Sequence, residues 1–401
     1  MIVNLLVCRA LGGDMKSAEV VIIGGGVIGA SVAYHLAARG CRDVVVVERG
    51  TNAGEGSTGR ATGGFRAQFG TPVNVRLSLL AREKLLRFRE ETGVDPGFRQ
   101  CGYLFIATNA AELDALRSSQ AMQRECGVAD ARAVSVEEIK SINPAIKTDG
   151  AAGGVFCPSD GFMRPLEILR GYTEAATRLG ARFEYGVAVE GFESDASGRI
   201  LSVKTTNGTL AARHFVNAAG AWAGEVARMA GVEIPVRPLC RKVAITRPTE
   251  LLPEEMPMTI FVDDGFHLRV RDRRVLLLWP DEPRGSDPFE ACVEDEWVSE
   301  VVSKAHARVP CLRGAAVDRV SCWAGLYEMT PDKHSILGRA PGVENFYLAN
   351  GSSGHGVMHS PALGQLLSEI ILDGAATTLS TRALRPTRFD EGEPNAAPDV
   401  L

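Results

Sequence analysis

The chain of 401 residues lacks a C-x-x-C pair among its nine cysteines, and their number is odd. This excludes zinc-ribbon spacing and argues against a disulfide framework, so reduced thiols in a cytoplasmic protein are expected. The seven histidines supply one H-x-x-x-H pair, His355 and His359, with no acid between them and no cysteine nearby. No metal site is expected. No apolar run reaches the ~18 residues that a membrane-crossing helix needs. The opening MIVNLLVCRALGGD is too short and too interrupted for a secretory signal. Met15 begins MKSAEVVIIGGG, so residues 1–14 are expected to be a dispensable extension. Excess positive charge is absent too. A net charge of −5 sets nucleic acid aside as a partner, because phosphate binding needs a concentrated positive field. The basic run from Arg269 to Arg274 lies between apolar runs and reads as a solvated hairpin tip.

What is present is more specific. The chain is long for one core, so two domains are expected. Val20 to Ile23 is a continuous apolar run, as in a strand buried on both faces of a parallel sheet. The pattern Gly24-x-Gly26-x-x-Gly29 follows, with Val27 and Ile28 between the glycines. A helix-like stretch from Ala30 to Ala38 then stops at Gly40. Val44 to Val47 is a second buried strand, closed by Glu48 with Arg49 beside it. Gly24 permits a tight turn, Gly26 lets backbone approach a pyrophosphate, and Gly29 lets helix and strand pack closely. The helix start offers N–H groups and the positive end of its dipole to phosphates. Glu48 stands where a carboxylate accepts hydrogen bonds from ribose hydroxyls and repels a 2′-phosphate. Strand, helix, second strand and acid together point to an adenine dinucleotide.

Two later stretches look like further pieces of the same site. Phe215 to Ala218 is an apolar strand that ends in Ala219 and Gly220, small residues suited to the approach of a flat ring. Asn345 to Asn350 is another strand, and it runs into the loop Gly351-Ser-Ser-Gly354-His355-Gly356 and a helix-like segment from about Ser360 to Leu372. Two separated glycine-loop-to-helix junctions, with no second G-x-G-x-x-G, favour one large cofactor, FAD, over NAD. Between them lies GSTGRATGGFRAQFG, residues 56–70, with neither helical nor strand periodicity and with two arginines among its glycines.

The set VVIIGGGVIGAS, VVERG, GSTGRATGGFR, FVNAAGAWAGEVARMAG, WAGLYEMTPDKHSILG and LANGSSGHGVMHSPALG resembles the FAD-dependent amine oxidoreductases of the D-amino-acid-oxidase superfamily. Sarcosine oxidase beta-subunit-like proteins, glycine oxidase and proline dehydrogenase beta subunits are nearest in pattern. The resemblance implies an α/β fold: a Rossmann-like FAD-binding domain with an inserted substrate domain on a mainly antiparallel sheet. Residues 15–95, 150–225 and 320–385 would form the discontinuous FAD domain, with 96–149 and 226–319 as the substrate domain. Ile260–Arg269 and Arg274–Trp279 read as a strand pair, and residues 386–401, acidic and proline-bearing, read as a disordered tail.

The resemblance also assigns roles. Ser57, Thr58 and Arg60 match the loop passing pyrophosphate and flavin, and Val189 matches a backbone contact to the adenine. Arg66 matches an arginine that pairs with the substrate carboxylate, and Tyr327 a tyrosine lining the substrate pocket. The alternatives are, for Arg66, a structural arginine on the cofactor phosphates or a surface salt bridge and, for Tyr327, an ordinary buried strand tyrosine. Gly351 to Met358 match the loop closing over the flavin. There His355 is a candidate to hydrogen-bond the ring, against a loop-fixing role. His267 faces either the substrate or nothing beyond its own strand. Asp332 and His334 look like a turn.

Three departures matter. Gly325 stands where some relatives attach the flavin through cysteine, so non-covalent FAD is expected. Met358 replaces a carboxylate-pairing lysine. Leu276 falls near a lysine linked to oxygen activation, which points toward a dehydrogenase. The implied reaction is oxidation of a small secondary or tertiary amino acid of sarcosine, proline, dimethylglycine or opine type. Hydride passes to flavin N5, and the resulting imine hydrolyses. One alternative is a flavoprotein subunit handing electrons to a partner, which would have to hold any iron–sulfur centre. The other is a flavin-binding assembly factor without turnover.

Overall fold

The computed structural model describes residues 16–282 and 287–396, so the expected extension at residues 1–14 lies outside the described residues. In chain order the first elements are β1 (Lys16–Ile23), α1 (Val27–Ala38), β2 (Val44–Glu48), α2 (Ser57–Arg60), β3 (Gly64–Phe65) and α3 (Pro72–Thr92). Then come β4 (Tyr103–Ala107), α4 (Ala110–Glu125), β5 (Arg132–Val134), α5 (Val136–Ile142), β6 (Gly153–Cys157), β7 (Gly161–Phe162) and α6 (Pro165–Arg178). The middle of the chain gives β8 (Arg182–Tyr185), β9 (Val189–Ser194), β10 (Ile200–Thr205), β11 (Gly208–Asn217), α7 (Ala223–Met229) and β12 (Arg237–Ile245). Last are β13 (Met258–Phe261), β14 (His267–Arg271), β15 (Arg274–Leu278), α8 (Asp295–Arg308), β16 (Trp323–Met329), β17 (Ile336–Arg339), β18 (Phe346–Asn350) and α9 (Gly356–Asp373).

The all-apolar runs of β1 and β2 pair in parallel and lie at the centre of the order β17-β18-β11-β1-β2-β8, with β9 and β10 joined at β11. β11 and β18, both read as buried strands, also pair in parallel. A sheet buried on both faces needs two covering layers. On one side α1, α3, α6 and α9 close a core around Val20, Ile22, Val44 and Val46; on the other, Val21, Ile23, Val45 and Val47 pack with Phe215 and Phe346. Every residue of α1 from Val27 to Ala37 is buried. Gly364 of α9 allows that close packing, since a Cβ there would run into Ser31, whose hydroxyl donates to the Ser360 carbonyl at 2.7 Å.

The second sheet runs β16-β12-β15-β14-β13-β4-β6-β5 and is antiparallel except where β13 meets β4. Its far face packs on α8 through Trp297, Val298 and Val301. β14 and β15 form a hairpin turned by Asp272 and Arg273 with φ of 52° and 59°, but the first member of the expected strand pair, Ile260–Arg269, is divided between β13 and β14, which pair with each other. β6 and β16, which the resemblance assigned to the FAD domain, hydrogen-bond into this sheet. Among the described residues no helix is long and apolar enough to cross a membrane.

Two sequence expectations need correction. Arg269 is not at a solvated tip. It is 2% exposed, lies over the Phe162 ring at 3.6 Å and donates to the Thr62 and Gly63 carbonyls at 2.8 and 3.1 Å. The tail is not disordered through Asn395. Arg388 is fully buried and pairs with Asp332 at 2.8 and 3.0 Å, and Asn395 donates to the same carboxylate. The acidic composition suggested solvation, but a buried Asp332 requires these donors.

Candidate active site

A cavity of about 750 Å³ runs from the β1–α1 turn to the inner face of the second sheet. At one end the backbone is built around glycine. Gly24 has φ +108°, and a Cβ there would drive into the Ala218 carbonyl; one on Gly29 would strike the Gly24 carbonyl. These two glycines are demanded by packing of turn, helix and β11, and Gly29 does not line the cavity. Gly26 differs. Its Cβ would meet no protein atom closer than Thr58 Oγ1 at 3.4 Å, so its bareness serves open space at the start of α1. Thr58 Oγ1 accepts the Val27 N–H at 3.1 Å, and Val27 and Ile28 face the cavity. Glu48 accepts the Gly25 and Gly50 N–H groups, one on each oxygen at 2.7 Å, which fixes its carboxylate at the rim with lone pairs to spare. Arg49 stacks on Trp222 at 3.5 Å, and Val189, Ala219 and Gly220 complete this wall.

The loop at residues 56–70 passes along the middle. It holds one helical turn, α2, which sequence periodicity did not show. Ser57 Oγ donates to the Leu326 carbonyl at 2.6 Å, and Arg60 lies against Gly325, where a side chain would strike it, and donates to the Ala324 carbonyl at 3.2 Å. Ser57, Arg60, Gly325 and Leu326 line the cavity, and no cysteine does among the described residues. Cys322 instead donates to the Asp318 carbonyl and packs against the apolar layer of the second sheet. Gly351 also falls outside the lining, with φ +69° and Thr330 where a Cβ would stand. Gly354 and Gly356 are in the lining, and Gly354 lies under the Tyr327 ring, which a Cβ would displace.

At the other end Arg66, Tyr327, His355 and His267 all line the cavity. Arg66 is 6% exposed, stacks on Phe69 at 4.2 Å, donates to the Gln68 carbonyl at 3.0 Å and faces His355 Nε2 at 3.4 Å. A guanidinium can only donate, so His355 Nε2 accepts and Nδ1 carries the proton. Burial, then the charge of Arg66, holds the His355 imidazole well below its ordinary range. His267, bonded through Nδ1 to the Gly265 carbonyl, is pushed by burial and by Arg66 and Arg241 to about 4. Both imidazoles are therefore neutral at physiological pH.

Several residues here were not found from the sequence. Tyr103 lines the cavity with its hydroxyl over Gly64, and burial raises its phenol. Asp160, fully buried, accepts the Ala67 N–H at 2.7 Å and Gln68 Nε2 at 3.1 Å, bracing the bend that carries Arg66. Burial lifts its carboxyl to about 6 against these donors and Arg66. Glu328, also raised by burial, accepts the Ser352 N–H and ties β16 to the glycine loop. Arg241 lines the sheet side. Leu276 is fully buried in an apolar cluster with Val243, Ile245 and Leu278, away from the lining.

The residues present fit FAD. A bare Gly26, a carboxylate fixed at Glu48, and a second glycine loop opening α9 onto the same long cavity suit a ligand with a ribose, a pyrophosphate and a flat ring. The comparisons agree. The DAO family profile, described as FAD dependent oxidoreductase, matches residues 19–370. FAD-dependent oxidoreductase domain-containing protein 1 of Xenopus laevis is 30% identical over 427 residues, covering 95% of this chain and 85% of that protein. Mitochondrial dimethylglycine dehydrogenase of Rattus norvegicus is 30% identical over 379 residues, and the match covers 89% of this chain but only 43% of that relative. The crystal structure of L-proline dehydrogenase from P. horikoshii superposes with a TM-score of 0.88 at 30% identity, covering 95% of this chain and all of that one.

Proposed function

From the premise that this chain belongs to the DAO family of FAD-dependent oxidoreductases, we propose that it oxidises a small secondary or tertiary amino acid at the end of the cavity holding Arg66. The carrying observation is a buried guanidinium on the wall of a cavity continuous with the dinucleotide cleft. FAD bound there supplies the hydride acceptor, and the protein's part is binding and electrostatics.

Arg66 offers a fixed, permanently charged fork to a substrate carboxylate. Its own neighbours hold it in place: Phe69 beneath, the Gln68 carbonyl at one side and the Asp160-braced bend behind. Tyr103 and Tyr327 give the substrate flat walls, and both phenols are kept protonated by burial. The burial and positive charge that depress His355 and His267 act equally on a bound amine. They favour its neutral form, the one with a lone pair to drive loss of hydride, so no dedicated base is needed. Water then hydrolyses the substrate imine.

Anaerobic mixing of the holoprotein with sarcosine, dimethylglycine, proline, an opine and iminodiacetate tests this: at least one should bleach the flavin band, and bleaching by none would reject it. Acid precipitation should release the yellow colour, since no lining cysteine stands ready to bond it. A second reading is transfer of electrons to a partner rather than to oxygen; Leu276, where the resemblance places an oxygen-activating lysine, is buried away from the cavity and lends it no geometric support. Slow reoxidation of the bleached protein in air supports it, and fast reoxidation opposes it.

A further inference from the structure

We propose that the substrate carries a second anionic group, a carboxylate on the amine's other substituent, and that Arg241 binds it. This rests on the amine-oxidising reading above and narrows it to N-carboxyalkyl amino acids.

Strand register fixes which side chains of the second sheet face the cavity. Residues opposite one another in a sheet share a face, and faces alternate along each strand. His267 lies opposite Leu278, and the Ala244–Leu277 pair sets Val243 opposite Leu278 in turn. Two residues back along β12 is Arg241, opposite Gly325, and Tyr327 is its diagonal neighbour across from Leu239. His267, Leu278, Val243, Arg241 and Tyr327 therefore share the face that lines the cavity. The rest of this set is aliphatic, aromatic or neutral imidazole, so Arg241 is its cation.

Lys242 shows the contrast. As the next residue it also borders the cavity, but its ammonium is taken up by Asp281 at 2.9 Å and Glu294 at 2.6 Å beside Trp297. Burial works against that charge, but the two carboxylates more than offset it. Arg241 has no such compensation. Its Nη1 donates to the Cys240 and Asp281 carbonyls at 3.3 and 3.1 Å, and among the described residues no carboxylate lies within ion-pair distance. The carbonyls fix the fork while leaving its charge facing the cavity.

Arg66 and Arg241 approach from different walls, the first from the loop beside β4 and the second from β12. Arg66 acts first on His267 and Arg241 next, while Tyr327 is acted on by Arg241 and then Arg66. With Arg66 and Arg241 on different walls of this end of the cavity, and no carboxylate on Arg241, the site suits a ligand with an anion at each end. A monocarboxylate would leave Arg241 uncompensated.

The test uses the holoprotein and two thioethers without an oxidisable amine, thiodiacetate and (methylthio)acetate, each titrated by its perturbation of the flavin spectrum. Thiodiacetate should bind at least about tenfold tighter, as expected of an added charge-assisted fork. Arg241→Met should bring the two dissociation constants together, and Arg241→Lys should keep part of the difference, with FAD content and melting temperature unchanged in both. Equal binding of the two ligands, failure of both to bind, or a preference that survives Arg241→Met overturns the proposal. Loss of FAD from Arg241→Met also overturns it, by assigning this arginine to the cofactor. These ligands need no turnover, so a two-anion preference without any amine oxidation would refute the reaction alone, and flavin bleaching without the preference would refute the second anion alone.

Discussion

Asp160→Asn isolates the brace behind Arg66. Asp160 is fully buried, and its carboxyl stands at about 6 against an ordinary 3.8. The folded state thus keeps a proton that the unfolded chain releases, and stability falls as pH rises from about 4 to about 6. The difference corresponds to ~3 kcal/mol lost across that window. Asparagine does not titrate, so the variant should lack this slope. It should also carry a roughly constant penalty of about 1 kcal/mol, because an amide cannot accept from both Ala67 N and Gln68 Nε2. Denaturant unfolding of both holoproteins at pH 4.5 and at pH 7, which together take in most of that window, measures this. The wild-type advantage should shrink as pH rises, and KM for a carboxylate substrate should rise in the variant. Parallel pH profiles for the two proteins would refute the reading of Asp160.

Gly354→Ala places a methyl against the Tyr327 ring at a residue with φ +88°, and kcat/KM should drop by about 10- to 100-fold, corresponding to the ~1–3 kcal/mol of such strain, in steady-state assays. Arg388→Ala strands the Asp332 carboxylate, and unfolding should show a loss of about 3–5 kcal/mol at neutral pH. Burial alone would raise that carboxyl, yet Arg388 brings it down to about 2. Its contribution is therefore present above about 4 and lost as pH falls through about 2, so the gap between wild type and variant should narrow in acid.

The dinucleotide end was legible because its signals are local. Strand, Gly24, Gly26, Gly29 and Glu48 lie in one short stretch, and each constraint acts on the backbone that carries it. Arg66, Tyr327, His355 and His267 were reached by resemblance rather than by pattern. Of the residues missed, Tyr103, Glu328 and Arg241 derive their meaning from register between distant strands, and Asp160 from the distant Ala67–Gln68 bend it holds. In RPLCRKVAI, two adjacent cations on an apolar strand must face opposite ways, and that was a usable hint. Arg269 and Arg388 were misread for one reason. Charged residues in polar-looking segments suggest solvent, while their partners, the Thr62 and Gly63 carbonyls and Asp332, lie far away in sequence.

The most direct measurement of the central claim is Arg66→Ala, followed by FAD content and by the dissociation constant of a carboxylate ligand read from the flavin spectrum. Retained FAD with a dissociation constant raised by about 10- to 100-fold is predicted, from the ~1.5–3 kcal/mol of a charge-assisted fork. An unchanged dissociation constant, or loss of the flavin, would contradict the assignment of Arg66 to the substrate.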